Sequence, residues 1–281
     1  MLDASMLSFL APCFAASLIL AGIHAYLGVH VVERGVIFVD LSLAQIAALG
    51  ATIALLLPFS NGDPHAPFVY WVSLAFTFIG AFVFSTIRGR RARIPQEAII
   101  GICYAVASAA AILAMSKATS ESEHLKDMLV GNILAVSWPE VGKTAALYGA
   151  IGLFHYVFRK KFLAISMDHA KAEASGLNVK FWDFLFYASF GFVVTSSVSI
   201  AGVLLVFSYL IVPSVAAMLY ADTIGKRLAI GWTMGTVVSA LGVFLSLKVD
   251  LPTGATIVCT FGLVLIIMAA VRPLIQRHAV S

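Results

Sequence analysis

Nine stretches of largely apolar residues follow one another along this chain, at roughly 7–31, 36–58, 68–87, 97–116, 141–158, 182–199, 202–220, 228–247 and 254–271. A helix crossing about 30 Å of hydrocarbon needs about 20 such residues, so each stretch is long enough to span a bilayer. The fold class that follows is all-α: a polytopic helical membrane protein with eight or nine transmembrane helices. The pair meeting at Ser199-Ile200-Ala201-Gly202 leaves almost no turn, and a broken helix there would reduce the count to eight. Composition agrees, since only 11% of the 281 residues are charged against 61% apolar. A soluble domain carries about a quarter of its residues as charges. So few excludes a soluble enzyme, a nucleic-acid-binding domain and a disordered tail.

The placement of charge orients the spans. With nine crossings, Arg34, Arg88, Arg90, Arg91, Arg93, Arg159, Lys160, Lys161, Lys171, Lys180, Lys226, Arg227, Arg272 and Arg277 fall on one face, which is 14 of the 18 Lys and Arg. Lys117, Lys126, Lys143 and Lys248 fall on the other. The positive-inside rule makes the first face cytoplasmic, with the N-terminus outside and the C-terminus inside. Met1-Leu2-Asp3-Ala4-Ser5 supplies no basic region ahead of the first apolar run, which reads as a retained span rather than a cleaved signal. The basic excess of +4 fits cytoplasmic Lys and Arg near anionic lipid. The chain reads as one domain over 1–281.

Two loops exceed the length of connectors. The outer one, 117–140, has an apolar second half too short to span, which is expected to lie at the interface or dip inward. The inner one, 159–181, holds Asp168-His-Ala-Lys-Ala172-Glu173-Ala-Ser-Gly176. Ala, Lys and Glu favour a short helix there, with Gly176 as its terminator.

Catalytic signatures are absent from the sequence. Gly142-Lys143-Thr144 has the tail of a phosphate-binding loop, but Ser137 stands where its first glycine belongs. There is no HExxH and no GxSxG. Cys13, Cys103 and Cys259 are odd in number and far apart, which supports neither a disulfide framework nor a thiolate zinc site.

Several ordered segments resemble the permease subunit of ATP-binding-cassette importers for zinc, manganese or iron. Asp168-x-x-x-Ala172-x-x-x-Gly176 resembles that family's coupling stretch, and Leu129-Val-Gly131-Asn132-Ile133-Leu134-Ala-Val-Ser137 its LFGxILxVS pattern. Gly202-Val-Leu204-Leu205-Val, then Leu210-Ile211-Val212-Pro213-Ser-Val-Ala216, resembles GxLLVxxxLIxPxxxA. Asp250-Leu-Pro252-Thr-Gly254 is similar to the DxPxG before the last helix. The matches run from about residue 25 to 270 at compatible spacing. The second span departs from the pattern: the family's Asp-x-x-Ser-His cluster is replaced by Asp40-Leu-Ser42-Leu-Ala-Gln45. An imidazole, the preferred nitrogen ligand for zinc, gives way to a carbonyl oxygen.

The resemblance implies an importer subunit moving a divalent metal by alternating access, with no tightly bound cofactor. ATP is hydrolysed by partner ATPase subunits docked on 166–178, where Asp168, Ala172, Glu173 and Gly176 form the coupling element. An extracytoplasmic substrate-binding protein delivers the cargo, and the permease works as a homodimer in the bacterial inner (plasma) membrane, among lipid and away from nucleic acid. The missing imidazole leaves a metal chelate or other small ligand open as cargo. A self-contained ion-coupled secondary transporter is the alternative of another class, which calls for carboxylates in mid-span and paired broken helices.

An ionisable group inside a span is costly and marks function by default. Asp40, about four residues into the second span, reads either as a pathway or gating residue or as an interfacial acid near Arg34. Gln45 is about 140° further round the helix, and either lines the path or bonds a neighbouring helix. Asp250 would attract a cation at the outer mouth. His24 and His30 cannot form an i,i+4 metal pair and read as packing histidines, while His155 reads as interfacial. Asp63, His65, Glu121, Glu123, His124 and Asp127 are cation-attracting groups in outer loops, where solvated charge is also ordinary. Gly231-Trp-Thr-Met-Gly235 permits close helix approach, within the chain or across a dimer.

Overall fold

A computed structural model describes residues 4–60, 63, 66–87, 94–116 and 133–278. Among these every regular element is helical: α1 (Ala4–Arg34), α2 (Val39–Leu56), α3 (Pro67–Ile87), α4 (Gln96–Met115), a 3-10 turn (Ile133–Ala135), α5 (Trp138–Val157), α6 (Arg159–Met167), α7 (His169–Ala174), α8 (Val179–Tyr220), α9 (Ile224–Val249) and α10 (Thr253–His278). Each of the nine apolar stretches falls on a helix. Seven helices are long and apolar enough to cross a membrane; α5 has the length but carries Glu140, Lys143 and His155.

α8 runs through residues 199–202. Its 42 residues would reach about 63 Å at 1.5 Å per residue, twice the hydrocarbon thickness. It is two helices, 179–201 and 203–220, meeting at Gly202, whose φ of 75° and ψ of 161° are non-helical. That region is open essentially to glycine alone. Each half has the length of a span.

The chain packs as two compact units. The first comprises Met1–Val32, Leu129–Gly149 and Ile200–Ser281. Its helices meet through small residues. At Gly28 of α1 there is no room for a Cβ against the Leu210 carbonyl and Ser214 Oγ of α8. A Cβ on Gly235 would lie 2.9 Å from that of Ala21, and one on Gly231 3.3 Å from that of Ala25. The Gly231–Gly235 pair is thus occupied inside the chain, by α1. Trp232 Nε1 donates to the Gly22 carbonyl at 2.9 Å, fixing the same contact. The described end of the outer loop turns inward: Ile133 and Val136 are buried, and Val136 packs with Ala16, Ile19 and Val141.

The second unit comprises Glu33–Met128 and Ala150–Ser199. α2 packs on both α3 and α4, and Gly50 lets α2 approach Phe76 of α3. Aromatic side chains fill the interior around α6 and the start of α8, with Phe162, Phe186, Tyr187 and Phe190 fully buried. Such rings bury large apolar areas and gain further from edge-to-face contacts.

Candidate coupling and substrate-pathway sites

The inner loop folds into two consecutive helices rather than one. α6 is an amphipathic nine-residue helix whose Phe162, Ile165 and Ser166 are buried. Its C-cap is Asp168, which is also the N-cap of α7: the Asp168 carboxylate accepts from the Lys171 backbone N–H at 2.9 Å. Such a cap satisfies a donor that a helix start leaves free. At the other end Gly176, with φ of 82°, closes α7. Its N–H donates to Glu173 O at 3.0 Å and Leu177 N–H to Ala172 O at 3.3 Å, the paired bonds of a Schellman motif. Of the four residues expected to couple to a partner, Asp168, Glu173 and Gly176 are exposed, and Ala172 is buried beneath them. α7 is thus a capped, outward-facing turn anchored by one small side chain.

Directly behind this element lies a buried ion pair that sequence reasoning did not find. Arg34, at the end of α1, bonds Asp183 Oδ1 of α8 through Nη1 at 2.5 Å. Its Nε donates to Ser166 Oγ of α6 at 2.9 Å. The guanidinium carbon sits 3.8 Å from the Phe186 ring centroid, within cation–π range. The ion-paired side chains are 0% and 1% exposed. Arg34 therefore belongs to this cluster. His155 is buried in the same unit. It is 1% exposed, bonded to Ser189 Oγ at 2.8 Å and stacked on Phe162 at 4.3 Å.

Asp40 lies in the first turn of α2, and its side chain is buried at 2% exposure. Its Oδ1 has no hydrogen-bond partner, and the same is true of Ser42 Oγ and of Oε2 of Glu97. The other oxygen of Glu97, Oε1, accepts from the Phe38 backbone N–H at 3.0 Å, tying the start of α4 to that of α2. Buried polar groups without partners are few in native proteins and call for an explanation. Glu97 is the residue missed here. Its position just after Pro95 reads from sequence as an ordinary acid at a helix start. Gln45 is buried deeper in α2.

Asp250 belongs to the first unit, whereas Asp40 and Gln45 belong to the second. It is exposed, and as the C-cap of α9 takes the left-handed conformation with φ of 57°. Ser246 Oγ donates to Leu251 O at 2.7 Å and shares a 2.6 Å hydrogen bond with Thr253, holding this corner. His24 is a packing residue: Nδ1 is 2.8 Å from the Leu20 carbonyl and the ring meets Tyr148 edge-on. His30 packs edge-on against Tyr26. Among the described residues no three His, Cys, Asp or Glu side chains converge as metal ligands. His65, Glu121, Glu123, His124 and Asp127, and residues 129–132 of the outer motif, lie outside the described residues.

Comparison with known proteins places this architecture. The profile of the family described as "ABC 3 transport family" matches residues 6–272. The manganese transport system membrane protein MntC of Listeria monocytogenes is 26% identical over 251 residues, covering 89% of this chain and 86% of that protein. The chelated iron transport system membrane protein YfeD of Yersinia pestis is 26% identical over 224 residues, covering 76% and 75%. Among solved structures, PsaBC from Streptococcus pneumoniae in complex with Fab superposes with a TM-score of 0.76 at 25% identity, over 92% of this chain and 90% of that one. With a family match across nearly its whole length, the chain belongs to the ABC 3 transport family, as a multi-pass bacterial membrane permease subunit rather than an enzyme.

Proposed function

We propose that this chain, acting as one permease domain over 1–281, forms the membrane path of an importer for a divalent metal ion: manganese, zinc or iron. The observation that carries the reading is α7, a helix capped at both ends and presented outward on the arginine- and lysine-rich side. A surface turn so rigidly defined suits docking of a separate ATPase subunit. Asp168 and Gly176 fix its ends, Ala172 seats it and Glu173 offers charge to the partner. The names of the manganese and chelated-iron relatives support the cargo class.

In this reading nine spans place the N-terminus outside and the C-terminus in the cytoplasm. Two copies pair across the membrane, and an extracytoplasmic binding protein delivers cargo near Asp250. Asp40 and Gln45 lie on the path. ATP shifts the pair between outward- and inward-open states because nucleotide binds one state more tightly than the other.

A metal chelate is the second reading. Gln45 stands in place of an imidazole, and the described residues hold no three-ligand cluster for a bare ion. Uptake of manganese(II), zinc(II), iron(II) and a ferric chelate in cells lacking the chain separates these. Loss of one free ion, restored by the wild-type chain, supports the metal reading, and loss of the chelate alone supports the second. Unchanged uptake of all four contradicts both.

A further inference from the structure

We propose that Arg34 is a positioning residue for energy coupling: it links the cytoplasmic element α6–α7 to the membrane helices α1 and α8 through Ser166 and Asp183. This rests on the reading of α7 as the ATPase-docking element. One residue joins three helices. Nη1 holds Asp183 of α8, Nε holds Ser166 of α6, and its own backbone ends α1. Ser166 stands two residues before Asp168, the shared cap of α6 and α7. Displacement of α7 therefore reaches Ser166 through one rigid turn, and reaches the end of α1 through one hydrogen bond.

Two features separate this arrangement from ordinary packing. A buried ion pair is a weak source of stability, because desolvation offsets most of the attraction. Here the offset is larger still, since Nη2 of Arg34 is buried without a hydrogen-bond partner. A leucine or methionine would fill the site at lower cost. What such a pair does supply is a connection that resists separation, because parting the charges leaves each one buried and uncompensated. The planar fork also fixes direction: Nε and Nη1 reach two different helices from one rigid group, while the Phe186 ring closes one face at 3.8 Å. Lysine could keep the ion pair with Asp183 but has no second donor in that plane.

The test uses proteoliposomes holding the permease with its ATPase subunits, and reads ATP hydrolysis and cation entry separately. The probes are manganese(II), zinc(II) and iron(II), and the comparison is made on those that the wild-type complex moves. Ser166→Ala removes the bond between Arg34 and α6 and leaves the ion pair in place. Its expected result is hydrolysis within twofold of wild type with at least a fivefold fall in cations moved per ATP. Arg34→Lys is expected to show the same uncoupling, and the double variant to be no worse than either single one, since both break the same link. An unchanged ratio in Ser166→Ala and Arg34→Lys overturns the proposal. So does a parallel loss of hydrolysis and entry, which marks a merely structural role. A wild-type complex that moves none of the cations under ATP refutes instead the importer reading on which the link rests.

Discussion

The two units of this permease differ in the polar groups that they bury. In the first, the close contacts are made by glycine and alanine, and its buried polar residues are neutral or histidine: Ser17, His24, Tyr209, Ser214 and Ser239 among them. In the second, Arg34, Asp40 and Asp183 are all buried, and these are the buried Arg, Lys, Asp and Glu residues among those described. Small-residue contacts gain from close backbone approach and carry no desolvation cost. Buried charges carry a large one and persist where function needs them. The second unit also contains α6 and α7. Costly charge and the proposed docking element thus occur in the same unit, while the first is built as a tightly packed scaffold.

Substitutions can break this contrast. The largest effect is expected for Asp183→Leu, which strands the Arg34 guanidinium and costs about 3–5 kcal/mol. Thermal unfolding in detergent measures it, and Arg34→Met combined with Asp183→Leu should recover most of the loss. Failure of the double variant to recover would mean that the attraction between Arg34 and Asp183 outweighs their desolvation, so that the pair stabilises the second unit outright. Next comes Gly28→Val, where even a Cβ meets the Leu210 carbonyl and Ser214 Oγ. Overpacking of this kind costs about 1–3 kcal/mol, read as a lower unfolding temperature with no change in pair chemistry. Asp168→Ala removes the N-cap of α7 and costs about 1 kcal/mol locally, which hydrogen exchange at Lys171 would detect. Asp40→Asn should have the smallest effect on stability. Its carboxylate is buried with an unpartnered oxygen, so neutralising it is expected to leave the unfolding temperature unchanged or raised. A fall in uptake at preserved stability would mark a pathway residue, and unchanged uptake would remove Asp40 from the path.

Much of the scaffold was legible because hydrocarbon imposes a length and an apolarity that any reader of the sequence can count. The Gly202 break was legible too: two spans met with no turn residues between them, so one residue had to change direction, and only glycine was there. Gly176 was readable as a helix end for the same reason. The Arg34–Asp183 pair was not. Its members are 149 positions apart, and each lies near the end of an apolar run, where a charge ordinarily points to headgroups and water. Glu97 escaped because an acid in the first turn of a helix needs no functional explanation. In each case the deciding contact comes from an element remote in sequence.

The central claim is that this chain moves cargo only when partner subunits supply ATP, and reconstitution tests it most directly. Purified permease alone and permease with its ATPase subunits are placed in vesicles, and entry of manganese(II), zinc(II) and iron(II) is followed with and without ATP. The account predicts entry only for the assembled complex with ATP present. Movement of cations by the permease alone, down a gradient or driven by a proton gradient, would contradict it and identify a self-contained transporter.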